Sequence, residues 1–376
     1  MIKYVWEGDE MKVKNDYQEC LTNLACSIRK YFNLEYKHNT LDYIDKILEE
    51  RKPKNVVTIL FDGMGSNIID KILPSDSFLI RHRLKPITTV FPATTVAATT
   101  SILTGLNPVE TGMLGWNMYL KGIDKIVTAF YGVEKGDETE TPLEEAINYK
   151  AKYMKTRSIT EEINLRGEDK GYGLFPFGDD AYEDVDEMFE RIVKLCNMEG
   201  KKYIYAYDDE PDHSMHEKGT YCKQIRDMIR YRNIMVERLA PKLKDTVIFV
   251  VADHGHIPVE NIHLENYPKI LECLERETAI EPRATAFFVK EEKKDEFEKL
   301  FQKEFSEYYD LHTKKDVIES KLFGDGEENP IFRDALGDYL AIAKTNKVLL
   351  SKYDKEFKSH HAGYMDDEIL VPLIVI

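Results

Sequence analysis

Cysteine is scarce and scattered in this chain of 376 residues. Cys20, Cys26, Cys196, Cys222 and Cys273 are odd in number and never form a C-x-x-C pair. A disulfide framework or a thiolate zinc site is therefore not expected, and a reducing cytoplasm fits. Basic residues are in the minority, with 52 Lys and Arg against 68 Asp and Glu and a formal net charge of −16. Such a balance argues against a nucleic-acid duplex or an anionic membrane as the main partner. Long apolar runs are missing too. Met1–Gln18 has no apolar core of signal-peptide type, and no later stretch reaches the roughly 18 uninterrupted apolar residues of a membrane span. The expectation is a soluble cytoplasmic protein. No Walker A loop, complete G-x-G-x-x-G or internal repeat occurs, so nucleotide binding by those routes is unsupported. An anionic substrate would have to meet positive charge supplied locally, and metal ions are one source of it.

What is present is enough apolar residue, 43%, to fill the core of one large domain with an insertion, or of two domains. Asn55–Phe61 (NVVTILF) and Thr246–Val251 (TVIFVV) are nearly all apolar and rich in β-branched residues, the mark of strands buried on both faces of a parallel sheet. Tyr203–Tyr207 reads as a third strand, and Ile369–Ile376 as a last one whose Pro372 suggests an edge or a bulge. Helical spacing fills Met64–Leu73, Val185–Cys196 and Tyr221–Leu239, and the first 52 residues read as a helical lead-in with helices at Tyr17–Tyr31 and Leu41–Arg51. The fold class expected is α/β, a mainly parallel central sheet covered by helices on both faces. Residues 263–350 differ in texture and read as a small inserted α+β subdomain, leaving 1–262 and 351–376 as the core. Lys150–Asp169 has no clear assignment.

Polar residues gather where these apolar runs stop. Asp62, Asp212 with His216, and Asp253 with His254 all follow strands, and His361 stands beside His360 ahead of the last strand. In sheets of this kind ligands bind beyond the carboxyl ends of the strands. Each residue alone has an ordinary reading as loop punctuation. Together they form the carboxylate and imidazole set that divalent metals take. Thr95 stands where an extended run gives way to a short helix closed by Gly105. An N-cap is the plain reading of it, and a hydroxyl placed at the positive end of a helix for an anion is the other.

In combination these motifs resemble the type I phosphodiesterase and nucleotide pyrophosphatase family of the alkaline phosphatase superfamily, over about Asn55–Val259 and Ser359 to the end. The resemblance rests on Asp62-Gly63, on Phe91, Pro92 and Thr95 followed by Thr104-Gly105, on Pro211, Asp212 and His216, on Asp253-His254-Gly255, and on His361 before Val371-Pro372-Leu373. It implies an alkaline-phosphatase-like core and a two-metal hydrolase of phosphodiester or pyrophosphate bonds. One zinc would be held by Asp212, His216 and His361, the other by Asp62, Asp253, His254 and Thr95, with manganese as the alternative metal. Thr95 would be the nucleophile of a phospho-threonine intermediate, and Thr94 is expected to matter far less. Extracellular relatives carry an Asn that donates to a phosphate oxygen; its place falls on Trp116, with Asn117 beside it as the candidate. His213, His256 and His360 are read as neighbours of the ligands.

The substrate expected is a small phosphate ester or nucleotide; the sequence carries no sign of oligomeric state. Rival readings are a phosphomonoesterase, a phosphonate hydrolase, a phosphomutase and, in another class, a non-catalytic metal-binding homologue. A diester is preferred because the residues after Thr95 are Val96-Ala97-Ala98 and the nearest upstream bases are Lys85 and Arg83. Those small residues, with Trp116 and Tyr119, are expected to offer an apolar surface. The opposing expectation is a base delivered by the insertion, Lys344 or Lys347.

Overall fold

Asn55–Phe61 buries every one of its side chains. Its neighbours explain why. In the computed structural model, which describes residues 15–376 in full and before them only the backbone of the strands Tyr4–Glu7 and Glu10–Val13, this strand lies between Lys202–Asp208 and Thr246–Val251. It runs parallel to both. Lys170–Leu174 continues the parallel set beyond Lys202–Asp208. Leu370–Val375 runs antiparallel against Thr246–Val251 and carries Arg83–Thr88 at the far edge, completing a six-stranded sheet. Helices flank it. Leu24 and Ile28, Ile68 and Ile69, Ile192, Ile225 and Ile229 share one apolar cluster with Val57, Ile59, Ile204 and Val250.

Parallel register is what assembles the site. Phe61 pairs with Asp208 and Leu60 with Val251, so the three strands stop at one level. The turns beyond them are then stitched together, Asp62 N–H donating to Asp208 O at 2.9 Å and Asp212 N–H to Asp62 O at 3.2 Å.

Pro372 is not an edge residue, and the bulge falls one residue beyond it. Its strand is internal, and Pro372 lies opposite Pro86 with a register shift between Leu373 and Ile374. Opposing two residues that lack an N–H confines the missing ladder bonds to one rung, and the true edge strand is the one that carries Pro86. The lead-in at 1–52 is helical at Leu21–Tyr31 and Asp42–Arg51, yet it opens on the antiparallel pair Tyr4–Glu7 and Glu10–Val13. Residues 1–3, 8–9 and 14 lie outside the described residues. Lys150–Asp169 takes in the end of the helix Glu144–Tyr153 and then a second helix, Ile159–Arg166, whose Ser158 and Glu161 form a capping box.

A second six-stranded sheet is antiparallel throughout, in the order Tyr309–Thr313, Tyr339–Ala343, Ala284–Phe287, Ala279–Glu281, Asn117–Leu120, Lys125–Thr128. The expected insertion at 263–350 supplies four of these strands; the other two come from a hairpin far earlier in the chain. Four-residue strands are too short to show a period in sequence. One buried ion pair ties this layer to the carboxyl edge of the parallel strands. Arg283 and Glu368, both fully buried, form a bidentate pair at 2.7 Å. Glu368 also accepts the Gly363 and Met365 N–H groups, and its own carbonyl accepts the Gly255 N–H at 2.8 Å.

Gly255 has no room for a side chain. A Cβ there would lie 1.9 Å from the Asp367 carbonyl oxygen, a backbone atom that no rotamer change can move. Gly255→Ala is expected to destabilise the fold by about 3 kcal/mol or more in urea or thermal unfolding, at the upper end of overpacking, and to displace the adjoining Asp253 and His254.

Candidate metal and nucleophile site

The helix Thr95–Thr104 ends at Gly105 in the left-handed conformation (φ 75°), where glycine carries no penalty. At its other end the N-cap is Thr94, with extended φ and ψ of −140° and 149°, and the Thr94 side chain makes no cap bond. Thr95 is the first helical residue. Between Phe91 and Thr100 it alone is not buried. Its Oγ1 lies 3.2 Å from His254 Nε2 and 3.5 Å from Asp62 Oδ1. The hydroxyl thus faces the polar strand ends and caps nothing.

The ligating atoms form two groups, Asp212, His216, His256 and His361 in one, and Asp62, Asp253 and His254 in the other, the atoms of each lying within 4.8 Å of one another. Their hydrogen bonds define which atoms face inward. His216, His254 and His361 direct Nδ1 at the carbonyl oxygens of Ser359, Gly255 and Ala93, at 3.0, 3.0 and 2.9 Å. A carbonyl only accepts, so each Nδ1 carries a proton, and in the neutral ring each Nε2 presents a lone pair. Those lone pairs look at carboxylate oxygens: His216 at Asp212 Oδ2 (3.4 Å), His361 at Asp212 Oδ1 (3.8 Å), His254 at Asp62 Oδ1 (3.3 Å) and Asp253 Oδ2 (3.5 Å). Acceptor facing acceptor is repulsive unless a cation lies between them. Asp253 Oδ2 is buried with no hydrogen bond among the described residues, while its Oδ1 takes the N–H groups of Gly63 and His254. Burial, then the neighbouring Asp212, pushes the Asp62 carboxyl well up; burial, then Asp62, does the same to Asp253. The donor set fits divalent metal ions.

His256, by sequence a neighbour of the ligands, stands inside the first group. Its Nε2 is 2.5 Å from Asp212 Oδ1, but its buried Nδ1 lacks the carbonyl partner that orients the other three rings. That pattern makes it an orienting donor to Asp212, a residue that D-x-x-x-H spacing does not reach. Burial holds its imidazole down to about 4. Tyr207 is a second residue that pattern alone did not reveal, its hydroxyl donating to Asp62 Oδ2. His213 is exposed and outside both groups, and His360 stacks on His361 with ring centroids 4.8 Å apart.

The apolar surface expected beside Thr95 is differently made. Val96, Ala97 and Ala98 are fully buried, and Tyr119 packs against Phe288 in the second sheet with centroids 4.9 Å apart. Trp116 is the exposed one, at 39%, and meets the rings of Phe130 and Tyr131 edge-on. Asn117 opens the strand Asn117–Leu120, and no hydrogen bond engages its side chain among the described residues. Thr94 is no bystander: its hydroxyl donates to the buried Glu281, which also accepts the Trp116 N–H. The four candidate bases are all engaged elsewhere, Lys85 with Glu19, Arg83 with Asp70, Lys344 with Asp310 and Lys347 with Glu260.

Known proteins share this fold. The family model for type I phosphodiesterase / nucleotide pyrophosphatase matches residues 56–365. Among solved structures, murine ectonucleotide pyrophosphatase / phosphodiesterase 5 superimposes with a TM-score of 0.64 at 17% identity, covering 85% of this chain and 87% of that one. An inactive threonine-to-alanine variant of the murine protein, in complex with AMP, gives 0.63 at 17%, and the human protein 0.65 at 16%, with the same coverage. At such identity these structures establish a common fold. No curated protein sequence matches the chain. With the family model spanning most of the sequence, this chain belongs to the type I phosphodiesterase / nucleotide pyrophosphatase family.

Proposed function

We propose that this hydrolase of phosphoric ester or anhydride bonds works through Thr95 as its nucleophile, on a diester or a pyrophosphate-linked nucleotide. The observation that carries the reading is the Thr95 hydroxyl, the single accessible group of its segment, 3.2 and 3.5 Å from His254 and Asp62. Two divalent ions, zinc or alternatively manganese, held by Asp212, His216 and His361 and by Asp62, Asp253 and His254, would supply the positive charge that acidifies this hydroxyl and offsets the charge of the phosphate. Thr95 Oγ1 gives up its proton and attacks phosphorus; the Oγ1–P bond forms as the bond to the leaving oxygen breaks, and that oxygen departs with the electron pair. Water then attacks the phospho-threonine, the new P–O bond forms, and Thr95 Oγ1 leaves and regains a proton. Asn117, whose side chain makes no hydrogen bond among the described residues, would donate to a phosphate oxygen.

Substrate charge supports the diester. A monoester brings about two negative charges near neutral pH, since its second pKa is roughly 6. The bases nearest in sequence, and both lysines of the insertion considered for this role, are bound to carboxylates. A diester has one charge, and its second substituent can rest on the exposed rings of Trp116, Phe130 and Tyr131. AMP in the complex of the murine relative supports an aromatic nucleoside there. Five free cysteines support the expectation of a reducing compartment.

Three measurements test the reading. Elemental analysis of gently purified protein is expected to find two divalent metals per chain, and His361→Ala to lose one of them; fewer than one metal with no gain on adding zinc or manganese refutes it. Thr95→Ala is expected to fold, keep metal in at least one site and lose about three orders of magnitude or more in turnover. Under identical metal loading, kcat/KM for a p-nitrophenyl diester is expected to exceed that for the matching monoester, and the reverse order moves the phosphatase reading to the front.

A further inference from the structure

Glu281 is a carboxylic acid buried to 4% exposure at the end of Ala279–Glu281, a strand of the second sheet. One of its oxygens does two jobs. Oε1 accepts from Thr94 Oγ1 at 2.6 Å and from the Trp116 N–H at 2.8 Å. Oε2 makes no hydrogen bond among the described residues. Thr94 is the N-cap residue, whose hydroxyl would ordinarily turn back onto the helix, and here it is drawn away from that use.

The chain is bent out of its ordinary range to bring this carboxylate in. Ile280, immediately before Glu281, has φ of +71°, a conformation that a β-branched residue rarely adopts. It is fully buried, and it packs so closely on Gly115 that a Cβ on that glycine would lie 2.7 Å from Ile280 Cγ2 and 2.8 Å from its carbonyl oxygen. Strained backbone persists where its surroundings over-determine it, and such sites cluster where function needs a fixed geometry. Segment 93–95 is then gripped from two sides, the Ala93 carbonyl by His361 Nδ1–H and the Thr94 hydroxyl by Glu281.

We propose that Glu281 is a positioning residue for the nucleophile: through Thr94 it fixes the first turn of the Thr95 helix, and through the Trp116 N–H it fixes the Trp116–Asn117 segment relative to that turn. The second sheet thereby sets the distance between attacking oxygen and phosphate site. A misplacement of about 1 Å at a reacting atom costs on the order of a hundredfold in rate, so the effect belongs in kcat, with KM and metal content little changed.

The inference rests on the Thr95 reading and is tested apart from it. Kinetics, metal content and melting temperature are measured for Glu281→Ala, Glu281→Gln, Thr94→Val and the double variant Glu281→Ala with Thr94→Val. Glu281→Ala and Thr94→Val are each expected to lower kcat by about 10- to 100-fold with native metal content. The double variant is expected to be little worse than Glu281→Ala, because that change already breaks the Thr94 link. The Gln side chain keeps the accepting Oε1, so Glu281→Gln is expected to restore kcat to within about threefold. Native kcat in metal-loaded Glu281→Ala or Thr94→Val overturns the proposal, as does a Gln variant as slow as the Ala variant, or a loss that follows metal content. Should Glu281→Ala not fold, Thr94→Val decides. If Thr95→Ala is itself active the nucleophile reading fails; if it is inactive while Thr94→Val is native, only the Glu281 link fails.

Discussion

Negative charge and lone pairs crowd together at the carboxyl edge of the parallel strands, and most of the structure around them deals with that crowding. Asp62, Asp253 and Asp212 are drawn to one level by strand register, and imidazoles with their protons turned outward point at them. Left alone this is an arrangement of acceptors facing acceptors in low dielectric, where burial opposes every charge. The protein meets part of the cost with its own donors, the Gly63 and His254 N–H groups on Asp253 and the Tyr207 hydroxyl on Asp62. Divalent cations, which the donor set fits, would meet the rest.

A centre of this kind works only if its members are held rigidly, and the bracing comes from elements remote in sequence. The Arg283–Glu368 pair joins the second sheet to the turn before the last strand, and the Glu368 carbonyl holds Gly255. Removing one partner of such a buried pair costs on the order of 3–5 kcal/mol, because the other is left charged and unpaired. His361 is oriented by the Ala93 carbonyl, two residues from Thr95. The Thr95 segment, the clustered Asp and His side chains and the second sheet are thus parts of one hydrogen-bonded assembly. The same sheet fixes the Trp116–Asn117 segment, since Asn117 pairs with Ile280.

Sequence reasoning went furthest where local chemistry and fold agree. NVVTILF and TVIFVV can be little other than strands buried on both faces, and Asn55–Phe61 and Thr246–Val251 fall where expected. It went least far at short strands. Lys170–Leu174 carries two glycines, one of them packed so closely on Thr160 that a Cβ would meet its carbonyl oxygen at 2.3 Å, so it shows no apolar run to read. The hairpin Asn117–Thr128 is legible as strand only through the partners that bury Met118, Leu120 and Val127.

The sequence by itself determined the parallel sheet, the order of the polar strand ends and the residue types a metal centre needs, because apolar runs and their punctuation are local properties. It also put Thr95 at the start of a helix, a local event, and the family resemblance made it the candidate nucleophile. Tertiary structure alone decided that Thr95, not Thr94, presents its hydroxyl to Asp62 and His254, and that His256 joins Asp212. It decided as well that Val96, Ala97 and Ala98 face the core, and that a carboxylate 187 residues away reaches Thr94. Those are matters of direction and distance between segments brought together by folding, and no spacing along the chain encodes them.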